Sequence, residues 1–396
     1  MLPFDYAIRN LGRSPIRLII SVLGSTLVVM LVIAAVSFVR GMEQSLRQSG
    51  SARNVILLGA GSEESIERSE VSPAVPGQVI ASVAGIQNHA NVPFVSGEVH
   101  MALDVEVGYE SGIGQRGQTQ QVQRGQALFR GVTEAAFMVH EQVTIVDGRT
   151  FSPGQDEIIV GSLAATRLGV PEDQLAVGKS IRVDGRQWKI VGRFSAPNTV
   201  MDAEIWCPLA NLQIVTRRDS LSCVVLTLGQ GDFSDVEIFV ASRLDLELIA
   251  IREVEYYQSL VEFYRPLRVM VWVTACLIGL GGLFGGLNTM YAAFVSRVRE
   301  IGMLQTLGYS RLAVVVSFVQ ESVVATAAGG LIGCALSLVM FGDLSVKFSM
   351  GAFGLIVDSF SIATGLVAAI VLGVVGCLPP AWQCIRLPIS ESLKAA

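Results

Sequence analysis

Residues 18–39, 269–296, 312–342 and 359–385 are four apolar runs of 22, 28, 31 and 27 residues that hold a single charge between them, Glu321. A helix rising about 1.5 Å per residue crosses roughly 30 Å of hydrocarbon in about 20 residues, so each run is long enough to span a membrane. In lipid every backbone N–H and C=O must be bonded within the chain, and a helix is the form that a single run can take. The mean hydropathy of +0.53, with 51% apolar and 16% charged residues, fits that reading. Nearly all the charge lies between the first and second runs, which excludes both a soluble enzyme and a many-helix channel or carrier. The first run is too long for a signal peptide and continues into Arg40 and Glu43 without a small-residue cleavage site, so it reads as a retained anchor.

The short flanks give direction. Arg9, Arg13 and Arg17 precede the first run, Arg297, Arg299 and Arg311 lie between the second and third, and Arg386 and Lys394 follow the fourth. Between the third and fourth runs stand Asp343, Lys347 and Asp358. The positive-inside rule then places both termini and the second-to-third connection in the cytoplasm. The expected architecture is a membrane protein of four transmembrane α-helices in a 1+3 arrangement, with a large mixed α/β domain inserted between helices 1 and 2. Its divisions are a cytoplasmic amphipathic helix over 1–17, spans over 18–40, 267–296, 311–342 and 359–385, an exported domain over 41–266, a cytoplasmic helix over 297–310, a short outer loop over 343–358 and a cytoplasmic tail over 386–396.

Residues 40–268 carry 20 Lys and Arg against 28 Asp and Glu, a net charge of −8 that argues against a nucleic-acid partner. From Val132 onward this segment alternates short β-branched runs (157–161, 180–184, 187–192, 203–208 and 222–228) with helical spacing over 163–168 and 233–244. The Gly/Gln-rich stretch 108–126 reads as a loop or hairpin tip, and 59–77 as a solvated loop. Cys207 and Cys223 are its cysteines, read either as a disulfide or as two buried thiols. His89, His100 and His140 read as surface residues rather than bases. No CxxC or HExxH spacing occurs, so neither a metal site nor a catalytic group is assigned. Residues 173–180 end in Gly-Lys-Ser like a phosphate-binding loop, but Asp173 stands where that loop needs glycine and a strand follows where it needs a helix.

The connection 295–316, VSRVREIGMLQTLGYSRLAVVV, is the most informative stretch. Arg299, Glu300, Ile301 and Gly302 open a short amphipathic helix with Ile301, Leu304 and Leu307 at i, i+3 and i+6, closed by Gly308. A two-turn helix of that kind suits a groove on another protein, and equally an interfacial position on lipid.

This stretch resembles the permease subunits of MacB/FtsX/LolC-type ABC transporters, the type VII or mechanotransmission family, whose R-x-R-E-I-G pattern stands here as Arg297, Arg299, Glu300, Ile301 and Gly302, with Thr306 where alanine is common. Gln320-Glu321-Ser322, Gly329-Gly330 with Gly333, and the closing Pro380-Ala381, Arg386-Leu387-Pro388 and Glu391-Ser392-Leu393 are similar to the family's third span and tail. So are Arg13-Ser14-Pro15 before the first span and, in the exported part, Phe129-Arg130-Gly131-Val132, Asp147-Gly148-Arg149, Trp188 with Ile190-Val191-Gly192, and Trp206 with Pro208-Leu209.

The resemblance implies a non-enzymatic permease subunit with a MacB-like periplasmic core domain, in the bacterial inner membrane. No cofactor belongs to the chain itself, ATP and Mg being bound by two copies of a separate ABC ATPase. A second permease copy or paralogue completes a dimer, and a periplasmic adaptor is a further partner. Arg299, Glu300, Ile301, Gly302, Leu304, Leu307 and Gly308 would form the coupling helix against the ATPase. The work done would be efflux of a periplasmic substrate or extraction of lipoprotein or lipid, the alternative being a membrane-anchored sensor or a regulator of a cell-wall hydrolase.

Glu321, an ionisable group within a span, is costly unless paired. It reads as a structural brace reached by Arg311 or by the coupling segment, in preference to a proton-transfer group. Gly281 with Gly285, Gly282 with Gly286, and Gly329 with Gly333 are small-xxx-small pairs that read as helix-packing faces, those of the second span against the first span of the same subunit or of its dimer mate. Tyr256, Tyr257, Phe263, Tyr264 and Trp272 read as an aromatic belt.

Overall fold

The computed structural model describes residues 15–108, 122–348 and 351–385. Most of the expected N-terminal helix 1–17, the tip of the Gly/Gln-rich stretch and the tail 386–396 lie outside these residues. In chain order the elements are α1 (Pro15–Ser49), β1 (Asn54–Gly59), α2 (Val75–Ser82), β2 (Asn88–His89), β3 (Val92–Pro93), β4 (Val95–Val107), β5 (Gln123–Val132), α3 (Ala136–Val139), β6 (Thr144–Gly148), β7 (Glu157–Gly161), α4 (Ala164–Leu168), β8 (Ser180–Val183), β9 (Arg186–Ser195), β10 (Ile205–Pro208), α5 (Leu209–Thr216), β11 (Cys223–Thr227) and α6 (Phe233–Ser242). There follow β12 (Leu248–Arg252), α7 (Glu253–Phe263), α8 (Arg265–Val295), α9 (Val298–Thr306), α10 (Arg311–Phe341), β13 (Ser345–Phe348), β14 (Gly351–Gly354) and α11 (Ser359–Ile385). They divide into an α/β unit, Gly41–Arg265 with Ser345–Gly354, and a unit of long apolar helices.

In the α/β unit the sheet runs β12, β1, β11, β4, β5, β10, β7, β9, β6, with β8 pairing both β4 and β9. That last pairing closes β4, β5, β10, β7, β9 and β8 into a ring, a small barrel with β1, β11 and β12 as an open extension. The β5–β10 and β7–β9 pairs are parallel. β4 belongs to both parts, because Val95–Glu98 pairs with β11 and Val99–Val107 with β5. Side chains alternate across a strand. Val99, Val105, Phe129, Ile158, Trp188 and Ile205 therefore belong to one buried cluster, and Trp206, Phe194 and Ile159 to another. The β4–β5 hairpin extends to the Val107–Gln123 pair, so the Gly/Gln-rich stretch ends in strand.

Among the described residues four helices are long and apolar enough to cross a membrane: Leu18–Ser49, Arg265–Ala292, Arg311–Phe341 and Ser359–Trp382. Glycines bring three of them together. A Cβ on Gly329 would collide with Ser25 Oγ and the Val22 carbonyl, one on Gly333 would press on the Thr26 carbonyl and Val29, and one on Gly330 would meet Ala369. The Thr26 hydroxyl donates to the Gly329 carbonyl at 3.0 Å. The second-span glycines differ. Among the described residues a Cβ on Gly282 would meet the first span, at Val28, while one on Gly281, Gly285 or Gly286 would meet nothing within 4 Å beyond its own helix.

Several expectations need correction. Helix α1 continues nine residues past its expected end at 40, to Ser49. The expected loop 343–358 contains the β13–β14 hairpin, whose Ala352 and Phe353 are buried and whose Ser345 hydroxyl bonds that of Thr166 at 3.1 Å. The stretch 59–77 is not simply solvated, since Ile66, Ser69, Val71 and Val75 are buried. Tyr256 and Tyr257 are buried on α7 within the α/β unit, so they are core residues rather than part of a belt. Cys207 and Cys223 are free buried thiols on separate strands.

These contacts separate two kinds of glycine. Gly329→Leu should overpack the α1–α10 contact and lower stability by about 1–3 kcal/mol. Gly286→Leu should leave the folding of the single chain unchanged or slightly improved, since α8 offers open space there. Thermal unfolding of the detergent-purified variants, followed by size-exclusion chromatography, separates the two cases.

Candidate functional site

The expected coupling segment forms α9. Its end is fixed by local chemistry: Gly308 takes φ +91°, Tyr309 N–H donates to the Leu304 carbonyl at 3.2 Å, and Gly308 N–H donates to the Gln305 carbonyl at 3.1 Å. This double closure stops a helix at a left-handed residue, where glycine is the natural choice. Ser310 then caps α10 by accepting from Ala313 N–H at 3.3 Å.

The expected apolar face is corrected. Ile301 and Gly302 are buried, and Ile301 packs with Phe294, Val314, Val315, Cys377 and Ala381, with Leu304 against the same cluster. Leu307 is 75% exposed. At about 100° per residue, positions i and i+6 lie roughly 120° apart, so Ile301 and Leu307 cannot share a face. Arg299, Met303 and Leu307, at i, i+4 and i+8, do share one. Arg299, Met303, Thr306, Leu307 and Gly308 are exposed, and Glu300 is half-buried.

Arg297, immediately before α9, is buried and donates from Nη1 to both Glu321 oxygens, at 3.1 and 3.4 Å. The Glu321 carboxylate on α10 is therefore braced by Arg297, from the connection that precedes α9. An ion pair with so little water is held by mutual compensation, and removing one partner strands the other.

A second cluster, in the α/β unit, escaped the sequence reading. Glu98 and His100 sit two apart on β4 and so share a face, at the point where β4 passes from the open sheet into the barrel. Arg130 lies opposite His100 on β5 and Trp206 opposite Arg130 on β10. Arg130 donates Nε and Nη2 to the two Glu204 oxygens, both at 2.7 Å, and Nη1 to Glu98 at 2.9 Å. Trp206 Nε1 donates to Glu204 at 2.8 Å. His140 Nε2 lies 2.8 Å from Glu98 Oε1, and its Nδ1 lies 4.0 Å from Glu253. Glu253 accepts from Ser51 N–H at 2.8 Å and from Asn54 Nδ2 at 3.0 Å.

All these groups are buried, so His100 and His140 are core residues, contrary to their surface reading, while His89 is exposed. Burial alone would raise the Glu98 carboxyl, but the charges of His140 and Arg130, with hydrogen bonds from both histidines, hold it well below the usual range. Burial and the Arg130 charge push His100 down. Glu253 is raised by burial, an effect that His140 and its hydrogen bonds only partly offset. Glu98, His100 and Cys223 also bring three ligand-type atoms within 4.8 Å of one another. The Glu98 oxygen nearest His100 is already bonded to the Arg130 guanidinium, which disfavours a cation there.

Two outcomes follow from these clusters. Arg297→Ala or Glu321→Ala alone should cost about 3–5 kcal/mol, whereas the paired Arg297→Met, Glu321→Leu variant should recover most of it, as a double-mutant cycle of thermal unfolding would reveal. The second concerns pH. A group whose folded value is depressed stabilises the fold above its unfolded value and loses that contribution as pH falls towards the folded one. Stability should therefore decline below about pH 6.5, the unfolded value for His100, and more steeply below about 4.5, that of Glu98, with Glu253 acting in the opposite sense. His100→Gln should flatten the upper part of this decline when unfolding is followed by tryptophan emission.

The family model of the MacB-like periplasmic core domain matches residues 18–238, and that of the FtsX-like permease C-terminal matches 272–389. Two ABC transporter permeases of Bacillus subtilis (strain 168) align over almost the whole chain. YvrN is 26% identical over 416 residues, covering 96% of each protein, and YknZ is 21% identical over 421 residues, covering 98% of this chain and 97% of its own. The macrolide export ATP-binding/permease protein MacB of Campylobacter jejuni is 32% identical over 134 residues, 32% of this chain and 20% of that one. The solved periplasmic region of MacB from Actinobacillus actinomycetemcomitans superposes with a TM-score of 0.38 at 11% identity, covering 55% of this chain and 97% of that one. With these two matched regions, the chain belongs to the ABC transporter permease family that joins a MacB-like periplasmic core domain to an FtsX-like permease domain.

Proposed function

We propose that this chain is the subunit through which a separate cytoplasmic ATPase does mechanical work on the exported α/β domain. The observation that carries the reading is the two-sidedness of α9. Arg297, Ile301 and Leu304 fasten it to α10 and its neighbours, while Arg299, Met303 and Leu307 project away from the chain. A helix gripped on one side by its own bundle and bare on the other can receive a push and pass it on without deforming. Exposed Met and Leu beside an arginine are the side chains a protein groove would take.

ATP and Mg would be bound by two copies of the ATPase. The relatives aligned over their full length are named as permeases alone, whereas MacB and PvdT are named ATP-binding/permease proteins and align over 20–43% of their lengths. A second permease copy or paralogue would cover Gly281, Gly285 and Gly286, where an added Cβ would meet nothing within 4 Å among the described residues. The spans would follow the 1+3 order, with both termini cytoplasmic, in a bacterial inner membrane. The work would be efflux of an exported substrate or extraction of lipoprotein or lipid, with a periplasmic adaptor as a further partner.

The test is co-purification of tagged permease with its ATPase. Leu307→Asp and Met303→Asp should leave the permease folded and membrane-inserted but reduce ATPase capture at least tenfold, about 1.4 kcal/mol or more of interface free energy. Leu304→Asp should instead lower the thermal stability of the permease itself, because Leu304 packs inward. Wild-type capture and wild-type partner-stimulated hydrolysis in both outer-face variants would transfer α9 to a lipid-surface role.

A further inference from the structure

Within the α/β unit a cavity of about 210 Å³ opens beside the buried charge cluster. Its walls come from α1 (Met42, Leu46), the turn after β1 (Ile66), α7 (Tyr256, Tyr257) and the β13–β14 hairpin (Phe353). At its polar end stand His100, Arg130 and Glu204, and at its rim Glu64 and Glu67. The cavity needs no part of the long-helix unit, and its function is independent of the coupling role of α9.

Its charge is one-sided. The Arg130 guanidinium is already shared between Glu204 and Glu98, so it has no charge to spare for an anion. His100 is held towards its neutral form. The Glu67 carboxylate makes no hydrogen bond or ion pair among the described residues, and burial raises its pKa against the partial relief from exposed Arg68. A half-buried carboxylate without a partner is an incomplete ion pair. Tyr256 and Tyr257 add ring faces of the kind that attract organic cations. The Tyr257 hydroxyl makes no hydrogen bond among the described residues. The volume sets the size: a cavity of about 150 Å³ holds a benzene ring, so this one, about 210 Å³ and open at one side, takes a body of about eight non-hydrogen atoms with its charged end at the opening.

We propose that this cavity binds a small amphipathic organic monocation, its ammonium group beside Glu67 and its apolar body against Tyr256, Tyr257 and Phe353. An anion of the same shape would meet Glu67 and Glu64 with no unpaired cation among the described lining residues to offset them. A neutral molecule would gain the apolar walls but leave Glu67 without a counter-charge.

The full chain in phosphatidylcholine nanodiscs, titrated calorimetrically with empty discs subtracted, tests this with three probes of one shape: 3-phenylpropylamine, 3-phenylpropanol and 3-phenylpropionate. The amine should bind about five- to tenfold more tightly than the alcohol, and the carboxylate more weakly than either. Glu67→Gln, an isosteric change at a half-buried site, should bring the amine to the affinity of the alcohol without changing the unfolding temperature. Leu260→Trp, which fills the cavity from α7, should weaken all three. Equal binding of amine and carboxylate, an amine affinity unchanged by Glu67→Gln, or no heat from any probe up to 10 mM, roughly the weakest affinity worth calling a site, would each overturn the assignment.

Discussion

Two ionised carboxylates and one guanidinium, closed off from water, set the terms for the α/β domain. Arg130 reaches both Glu98 and Glu204, with His140 as a further partner of Glu98, and the buried guanidinium has a carboxylate on each side. The three side chains come from β4, β5 and the residue before β10, so the pairing requirement is also a requirement on register. A one-residue slip of β5 would turn Arg130 to the other face, among Phe129 and Val99, and take the guanidinium away from both carboxylates. The hydrophobic pattern disfavours that slip, and the charges penalise it again. Trp206 strengthens the arrangement by donating to Glu204 from one edge while its ring covers Arg130, the guanidinium carbon lying 5.3 Å from the ring centre.

The membrane helices were legible in the sequence because lipid imposes a single demand, and a charge-free run of 20 or more residues answers it without reference to the rest of the chain. The strands after Val132 were legible for a similar reason, being short β-branched runs between turns. Those before Val132 were not. Residues 95–107 contain Glu98, His100, Asp104 and Glu106, and 123–132 contain two arginines and a glutamine pair, so their polarity resembled loop. They are strands because their polar side chains find one another across the ladder, which is a property of pairing and not of either segment alone. The Phe129-Arg130-Gly131 and Trp206 motifs did mark the cluster's position, but nothing local said that Arg130 would be buried.

The α9 helix shows how small an angular error changes a functional reading. Residues three apart look equivalent on paper, yet two such steps turn the chain by about a third of a revolution away from the starting face. Ile301 consequently belongs to the bundle and Leu307 to the outside. The pairing of Arg297 with Glu321 obeys the same economy as the domain cluster: each buried charge is placed where an element of different sequence position can complete it.

The position of β1 in the sheet bears on how the chain is made. All six of its residues are buried, and its neighbours on either side are β11 and β12. Those strands begin about 170 and 190 residues later in the chain. At roughly 5–20 residues per second of synthesis, the Asn54–Gly59 segment must wait some ten to forty seconds for partners on either edge. Throughout that interval it is an aliphatic strand with both hydrogen-bonding edges unpaired, the kind of segment most prone to pair with another chain. The domain's completion is thus a late event, with β13 and β14 arriving only after two more spans have been synthesised, and the nascent chain depends on whatever shields β1 until then.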